Sequence, residues 1–288
     1  MRRRVLLMAL SIAVSLSIIA PMLYPQIAAA TGATTSVHIV RYAPDGTTVL
    51  SERTVDYKWM EGNLPVQGDG VTHYYHQGPV FQGDMWDPEE TVNLKDKGAV
   101  MGTDVKDLCE LVGGMSPGDE ISLCAVDGYC VKFAYDNVYE PLYRQGPIVL
   151  CWYKGDDGSG YGAGYPGNDA FSEAMQIVFF ANNTNSEGKH VFGNSDMKVC
   201  LPEEKYQHFY EGLPSTNGLT GKWISEIRIY PGSASGNITE GAVHDVTSEN
   251  PKQFPWLPAV LGVAGLLAVG SGIYLLYLRK AKSADRTQ

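Results

Sequence analysis

Two histidines, His73 and His76, bracket a pair of tyrosines in the stretch GVTHYYHQGP, residues 70–79. Imidazole nitrogens bind transition metals, and the acidic stretch that follows, GDMWDPEE, offers Asp84, Asp87, Glu89 and Glu90 as oxygen donors for a mixed site. The spacing works against such a site. On an extended strand, residues three apart point to opposite faces, so the two rings converge on one ion only if the segment turns or becomes helical. Gly68, Gly70, Gly78 and Pro79 bracket the stretch and make a turn credible. We expect both histidines to support aromatic packing; the competing expectation is a divalent metal held by His73, His76, Asp84 and Asp87.

Other motifs that could carry chemistry are weaker. GAGYPG, Gly162 to Gly167, matches the dinucleotide fingerprint in letters, but that motif must follow a strand and open a helix to hold a pyrophosphate. Pro166 and the surrounding GDDGSGYGAGYPGND describe a loop instead, so the match is read as chance. Asp156, Asp157 and Asp169 in that loop fit no calcium-loop spacing and read as solvated charge. The chain has no Walker sequence and no Cys-x-x-Cys, which leaves nucleotide-binding and zinc-finger readings without support.

The five cysteines, Cys109, Cys124, Cys130, Cys151 and Cys200, are odd in number, so at least one stays free. EISLCAVDGYCVKFAY reads as a hairpin turning at Asp127 and Gly128. A two-residue turn would set Cys130 opposite Ala125 and send the thiols to opposite faces; a three-residue loop, Val126 to Gly128, would set Cys124 opposite Cys130 and allow a bridge. We expect that bridge, a second between Cys151 in PIVLCWY and Cys200, and a buried free thiol at Cys109 on the helical stretch DVKDLCELV. In that stretch Val105, Leu108, Leu111 and Val112 form a helical stripe. Near its end the chain shows Ile224, Ile227 and Ile229 with Trp223, which read as a core-facing strand.

The ends set the topology. Residues 1–30 begin with Arg2, Arg3 and Arg4, continue through an apolar run from Val5 to Ala20 and close on small residues, the pattern of a cleaved export signal. Phe254 to Leu278 carries no charge and is long enough to cross a bilayer; Trp256, Tyr274 and Tyr277 sit near its edges and Arg279, Lys280, Lys282 and Arg286 follow. A single-pass membrane protein is expected, with residues 31–230 as an extracellular domain, 231–253 as a flexible stalk, 254–278 as the span and 279–288 as a cytoplasmic basic tail. Gly262, Gly265, Gly270 and Gly272 would let another helix approach the span.

Seven of the 22 Lys and Arg lie in the leader and tail, as does one of the 32 Asp and Glu, leaving 15 basic against 31 acidic residues outside the cell. So acidic a surface disfavours nucleic acid, whose phosphates require a basic face. An envelope protein or glycan is the expected partner, besides the membrane. Asn182 in NNT and Asn237 in NIT meet the N-glycosylation rule.

From Gly102 onward, GTDVKDLCELVGGMSPGDEISLCAVDGYCVKFAYDNV resembles the molybdopterin-binding domain of the sulfite-oxidase-like oxidoreductases, in which a Gly-started helix leads to a strand, an Asp-Gly-Tyr turn and a second strand. PIVLCWYKGDD and GKWISEIRIY resemble later strands of that family, so the likeness covers about residues 100–230. The whole chain also resembles exported surface proteins of methanogenic archaea. The resemblance implies a strand-rich α+β fold with a mixed sheet and short helices, and in catalytic members a molybdenum-ligating cysteine just before the helix. Residues 86–103, WDPEETVNLKDKGAVMGT, contain no cysteine, and Lys95 and Lys97 are the only basic residues there to meet an anionic pterin. The expectation is therefore a non-catalytic surface or binding protein on a retained fold, without cofactor. The alternative is an extracytoplasmic redox protein using molybdopterin or a divalent metal.

Overall fold

The computed structural model describes residues 33–232 except 157, 159, 161, 169, 170 and 173. The expected signal, most of the stalk, the span Phe254–Leu278, the tail and Asn237 lie outside the described residues. Among the described residues no helix is long and apolar enough to cross a membrane.

The described chain is a strand-rich α+β fold of fourteen strands and four short helices. Strands β1 (Ser36–Tyr42) and β2 (Val49–Asp56) form a hairpin, followed by helix α1 (Tyr57–Asn63), which Asp56 caps by accepting from Trp59 N at 2.8 Å. Then come β3 (Val66–Gln67), β4 (Tyr74–Gln77), β5 (Leu94–Asp96) and β6 (Val100–Asp104). Helix α2 (Val105–Glu110) starts where the Asp104 carboxylate accepts from Lys106 N. It is followed by β7 (Glu120–Ala125), β8 (Cys130–Ala134), helix α3 (Tyr135–Tyr139) and β9 (Ile148–Lys154). The chain closes through β10 (Gln176–Phe179), β11 (His190–Phe192), helix α4 (Asn194–Cys200), the small hairpin of β12 (Phe209–Tyr210) and β13 (Leu213–Pro214), and β14 (Ile224–Tyr230).

Two sheets enclose the main core. One is mixed, in the order β2-β1-β14-β7-β8, with β1 and β14 parallel; the other runs β10-β9-β6-β3, antiparallel throughout. Their facing side chains form one cluster that includes Ile39, Leu123, Phe133, Ile227 and Ile229 from the first sheet and Leu150, Trp152, Ile177 and Phe179 from the second. Val105 and Leu108 of α2 join it, as does Val112 just past the helix, with Leu111 partly buried against it. A third sheet, β11-β4-β5, carries the histidine stretch.

Strand β14 departs from its expected pattern in an instructive way. Ile224 and Ile227 are three apart and would face opposite sides of a regular strand, yet both are fully buried with Ile229. The register against β7 slips between Ile224 and Glu226, so a bulge at Ser225 turns Ile224 back to the core. The same irregularity leaves Trp223 at φ 53° and 39 % exposed, not core-facing as expected.

Strand β9 settles a second expectation. Its alternation sends Ile148, Leu150 and Trp152 into the main core and Val149 and Cys151 into a separate cluster with Val100, Phe171, Val178 and Phe180. Cys200 sits on α4 in the main core, so the sheet stands between it and Cys151. The two cysteines do not bridge; both are free and buried, as is Cys109. The other bridge forms: Cys124 lies directly opposite Cys130 and is joined to it. Ala125 N donates to Tyr129 O, which closes the three-residue loop Val126 to Gly128, and Gly128 takes the left-handed φ of 92° that such a loop requires.

Candidate functional site

Strand β4 places the two histidines apart. His76 is fully buried between Phe179 and Phe192, with ring centroids 5.4 and 6.2 Å away. Its Nδ1–H donates to Thr220 Oγ1 at 2.6 Å and its Nε2 accepts from Phe179 N at 3.1 Å. Burial, assisted by the nearby Lys97 ammonium, holds its pKa well below the ordinary imidazole range, so the ring is neutral. His73 lies just before the strand, half-buried, with Nδ1 2.8 Å from Asp96 Oδ2 on β5. The packing reading holds for His76; His73 stacks on Tyr75, ring centroids 6.4 Å apart, and hydrogen-bonds to Asp96 at the surface.

The four residues proposed as metal ligands are each engaged elsewhere. Asp84 is exposed and accepts from Trp86 N. Asp87 is buried, and its Oδ2 accepts from Gln77 Nε2, Thr91 N and Val92 N. With both His76 nitrogens occupied, a site built from His73, His76, Asp84 and Asp87 does not assemble. Among the described residues no group of three His, Cys, Asp or Glu side chains could hold a metal ion.

Around Gln77, the residue after His76, the structure builds a polar knot. The Gln77 amide reaches Asp87 and Val92 O through Nε2 and accepts from Asn194 N at 2.8 Å through Oε1. Asn194 Nδ2 donates to Gly78 O and its Oδ1 accepts from Thr216 N. Thr216 Oγ1 accepts from Gln77 N at 2.7 Å and donates to Phe192 O at 2.7 Å. Gln77, Asn194 and Thr216 are fully buried, and their partners span more than a hundred residues of sequence. Each polar group finds a partner, as burial demands.

Next to the knot lies the most perturbed charge cluster. Glu90 and Asp196 are buried side by side, and Glu90 Oε1 accepts from Asp196 N at 3.0 Å. Arg144 Nε pairs with Asp196 Oδ1, and Asn183 Nδ2 approaches Asp196 Oδ2. Desolvation first, then the Asp196 charge, pushes Glu90 up to about 8. Burial also raises Asp196, with Arg144 opposing. Glu90 was visible in sequence only as part of an acidic stretch; Asp196 and Arg144 carried no signal at all, because their meeting depends on contacts between distant segments.

Among the described residues no cysteine is placed as a molybdenum-ligating thiolate. The Gly102 backbone packs against Cys151 across β6 and β9, and that thiol sits in an apolar cluster that raises its pKa well above the usual thiol range. Cys109 is also raised, chiefly by burial, and Cys200 is pushed up to about 12. A buried protonated thiol is a poor ligand. Lys97 is buried and donates to Asn217 Oδ1. In the GAGYPG stretch, Gly164 pairs with Lys154 and Tyr165 is held by Tyr57, Trp152 and a hydrogen bond to Glu61. Asp156 accepts from Gly158 N, while Asp157 and Asp169 lie outside the described residues. Compared with known proteins, the chain matches no family model and no curated sequence.

Proposed function

We propose that this protein is a non-catalytic surface or binding protein, held at the cell membrane by Phe254–Leu278, with its acidic domain outside and its basic tail inside. The observation that carries the non-catalytic part is the engagement of the side chains able to do chemistry. His76 has both nitrogens bonded, Asp87 and Gln77 are tied into the knot, and the free thiols are buried and protonated. The disulfide Cys124–Cys130 supports an oxidising compartment. Exposed Asn182 supports a glycan there. The finer fold assignment is a molybdopterin-binding-type domain retained without its cofactor. It is supported by the order α2, the Gly113–Gly114 turn, β7, Asp127-Gly128-Tyr129 and β8, the arrangement that family has. An envelope protein or glycan is the partner such a surface would meet.

The test is elemental and cofactor analysis of full-length protein purified from its native membrane. The proposal expects metal and pterin well below stoichiometric. Near-stoichiometric metal that disappears in His73→Ala would move the reading to an extracytoplasmic redox protein. His73 is the better probe because His76→Ala would also remove core packing.

A further inference from the structure

The segment from Asp87 to Asn93 turns sharply three times, with Asp87, Glu90 and Asn93 at φ 39°, 52° and 54°. A side chain in the left-handed region is uncommon, and such a conformation persists only where its surroundings hold it. Asp87 is fixed from inside by Gln77. Asn93 is tied through Nδ2 to Pro79 O. Glu90 is fixed from across the fold: Asn185 Nδ2 donates to its carbonyl at 2.9 Å, and its carboxyl lies over Gly193, where a Cβ would come within 2.3 Å of Glu90 Cδ. Only glycine at 193 admits the contact.

The charge balance at that contact is unusual. Glu90 and Asp196 are both carboxyl groups, 5 % and 0 % exposed, and among the described residues Arg144 is the single cation paired with them. The titratable groups facing the pair are Arg144 from the loop before β9 and the Cys200 thiol from α4, which is neutral; on the pair's own segment the Asp87 carboxylate is turned away to Gln77. Two ionised carboxylates would leave one buried negative charge without a counter-ion, an expensive state. One proton between them removes the excess.

We propose that the shared proton between Glu90 and Asp196 is a latch that holds the Asp87–Asn93 segment against α4, and that alkaline pH opens it. In the closed form the Glu90 carboxyl donates its proton to the Asp196 carboxylate, which keeps its pairing with Arg144. Loss of that proton to solvent breaks the hydrogen bond and sets two like charges face to face. The segment then relaxes from its left-handed turns, carrying with it Trp86, whose ring lies against Phe209 and Lys198. The shift of Glu90 to about 8 agrees with a latch that is closed at neutral pH.

Hydrogen exchange on the full-length protein in detergent, corrected for the intrinsic pH dependence, tests this. Between about pH 6 and about pH 9 the protection of amides 90–92 should fall at least about tenfold, while protection in β7 and β14 holds. In Glu90→Gln, whose amide can still donate to Asp196, the protection should be independent of pH. Flat protection in the native chain, or an undiminished fall in the variant, overturns the latch. Should the variant fail to fold, the difference in fluorescence between the native chain and Trp86→Phe gives a second reading. It should titrate over the same range, and a featureless difference overturns the latch equally.

Discussion

The β7–β8 hairpin holds its two cysteines directly opposite one another on one face, whereas the β4 region holds its two histidines apart, one in the core and one at the surface. The hairpin is a local object. A three-residue loop fixes its register, and the bridge follows from it. Strand β4 is assembled from remote parts, pairing in parallel with β11 and antiparallel with β5; the Gln77 side chain finds a partner on α4 and its backbone N–H one at Thr216. Near neighbours in sequence meet when the turn between them decides the geometry; otherwise the rest of the chain decides it.

That contrast is most easily broken in the polar knot. Gln77→Ala removes an amide that serves Asp87, Val92 O and Asn194 N, leaving buried groups unpaired at about 1–3 kcal/mol each, so a loss on the order of 3 kcal/mol or more is expected. Chemical denaturation should place it beside Leu123→Ala in the apolar core, where about 2–5 kcal/mol is typical. A loss below about 1 kcal/mol would mean that the knot is replaceable by water and that β4 is held by its apolar contacts.

The second effect is a dependence on pH that the hairpin lacks. Glu90 has an ordinary value of 4.5 and a folded value of about 8, so the folded state holds a proton that the unfolded chain releases between them. Its contribution is fully present below about pH 4.5 and is lost as pH rises toward about 8. Stability measured by denaturation should therefore decline across that window, Asp196 acting in the same direction, and Glu90→Gln should flatten the decline. Stability that stays flat over the same window would show that the pair is solvated.

Legibility in the sequence follows the same line. The α2 stripe, the β7–β8 loop and the strands β9 and β14 rest on local periodicity, and the sequence showed them. The burial of Ile224 with Ile227 needed a bulge, which a strict period of two cannot express, and Trp223 was misplaced for the same reason. The pairing of Cys151 with Cys200 failed because two buried thiols looked like partners, while the face of β9 on which each would sit depended on the packing of two sheets. Gln77, Asn194, Thr216 and the Glu90–Asp196–Arg144 cluster have no sequence signature, since no spacing rule joins residues a hundred positions apart.

The hairpin can be probed through its bridge. A loop of sequence separation 6 is short, so the chain-entropy model gives the bridge only about 2 kcal/mol. Replacing both Cys124 and Cys130 by Ala should lower stability by about that amount and leave the fold intact, because the β7 and β8 ladder continues to Ala134. Alkylation of the unreduced, denatured native chain should label Cys109, Cys151 and Cys200 and spare the other two. Labelling of Cys109 alone would restore the second bridge.

The smallest effect belongs to His73. Its contact with Asp96 is close, but the two side chains are 30 % and 44 % exposed, and pairs of this kind contribute only about 0–1 kcal/mol. Asp96 keeps a second partner when the imidazole is removed, since its Oδ1 also accepts from Gly98 N at 2.7 Å. His73→Ala should therefore shift the denaturation midpoint little. His76→Ala, only three residues on, empties a site between Phe179 and Phe192 and leaves Phe179 N without its acceptor. If the two substitutions destabilised the chain equally, the separation of the histidines onto opposite faces would be wrong, and with it the geometric reason for their failure to share an ion.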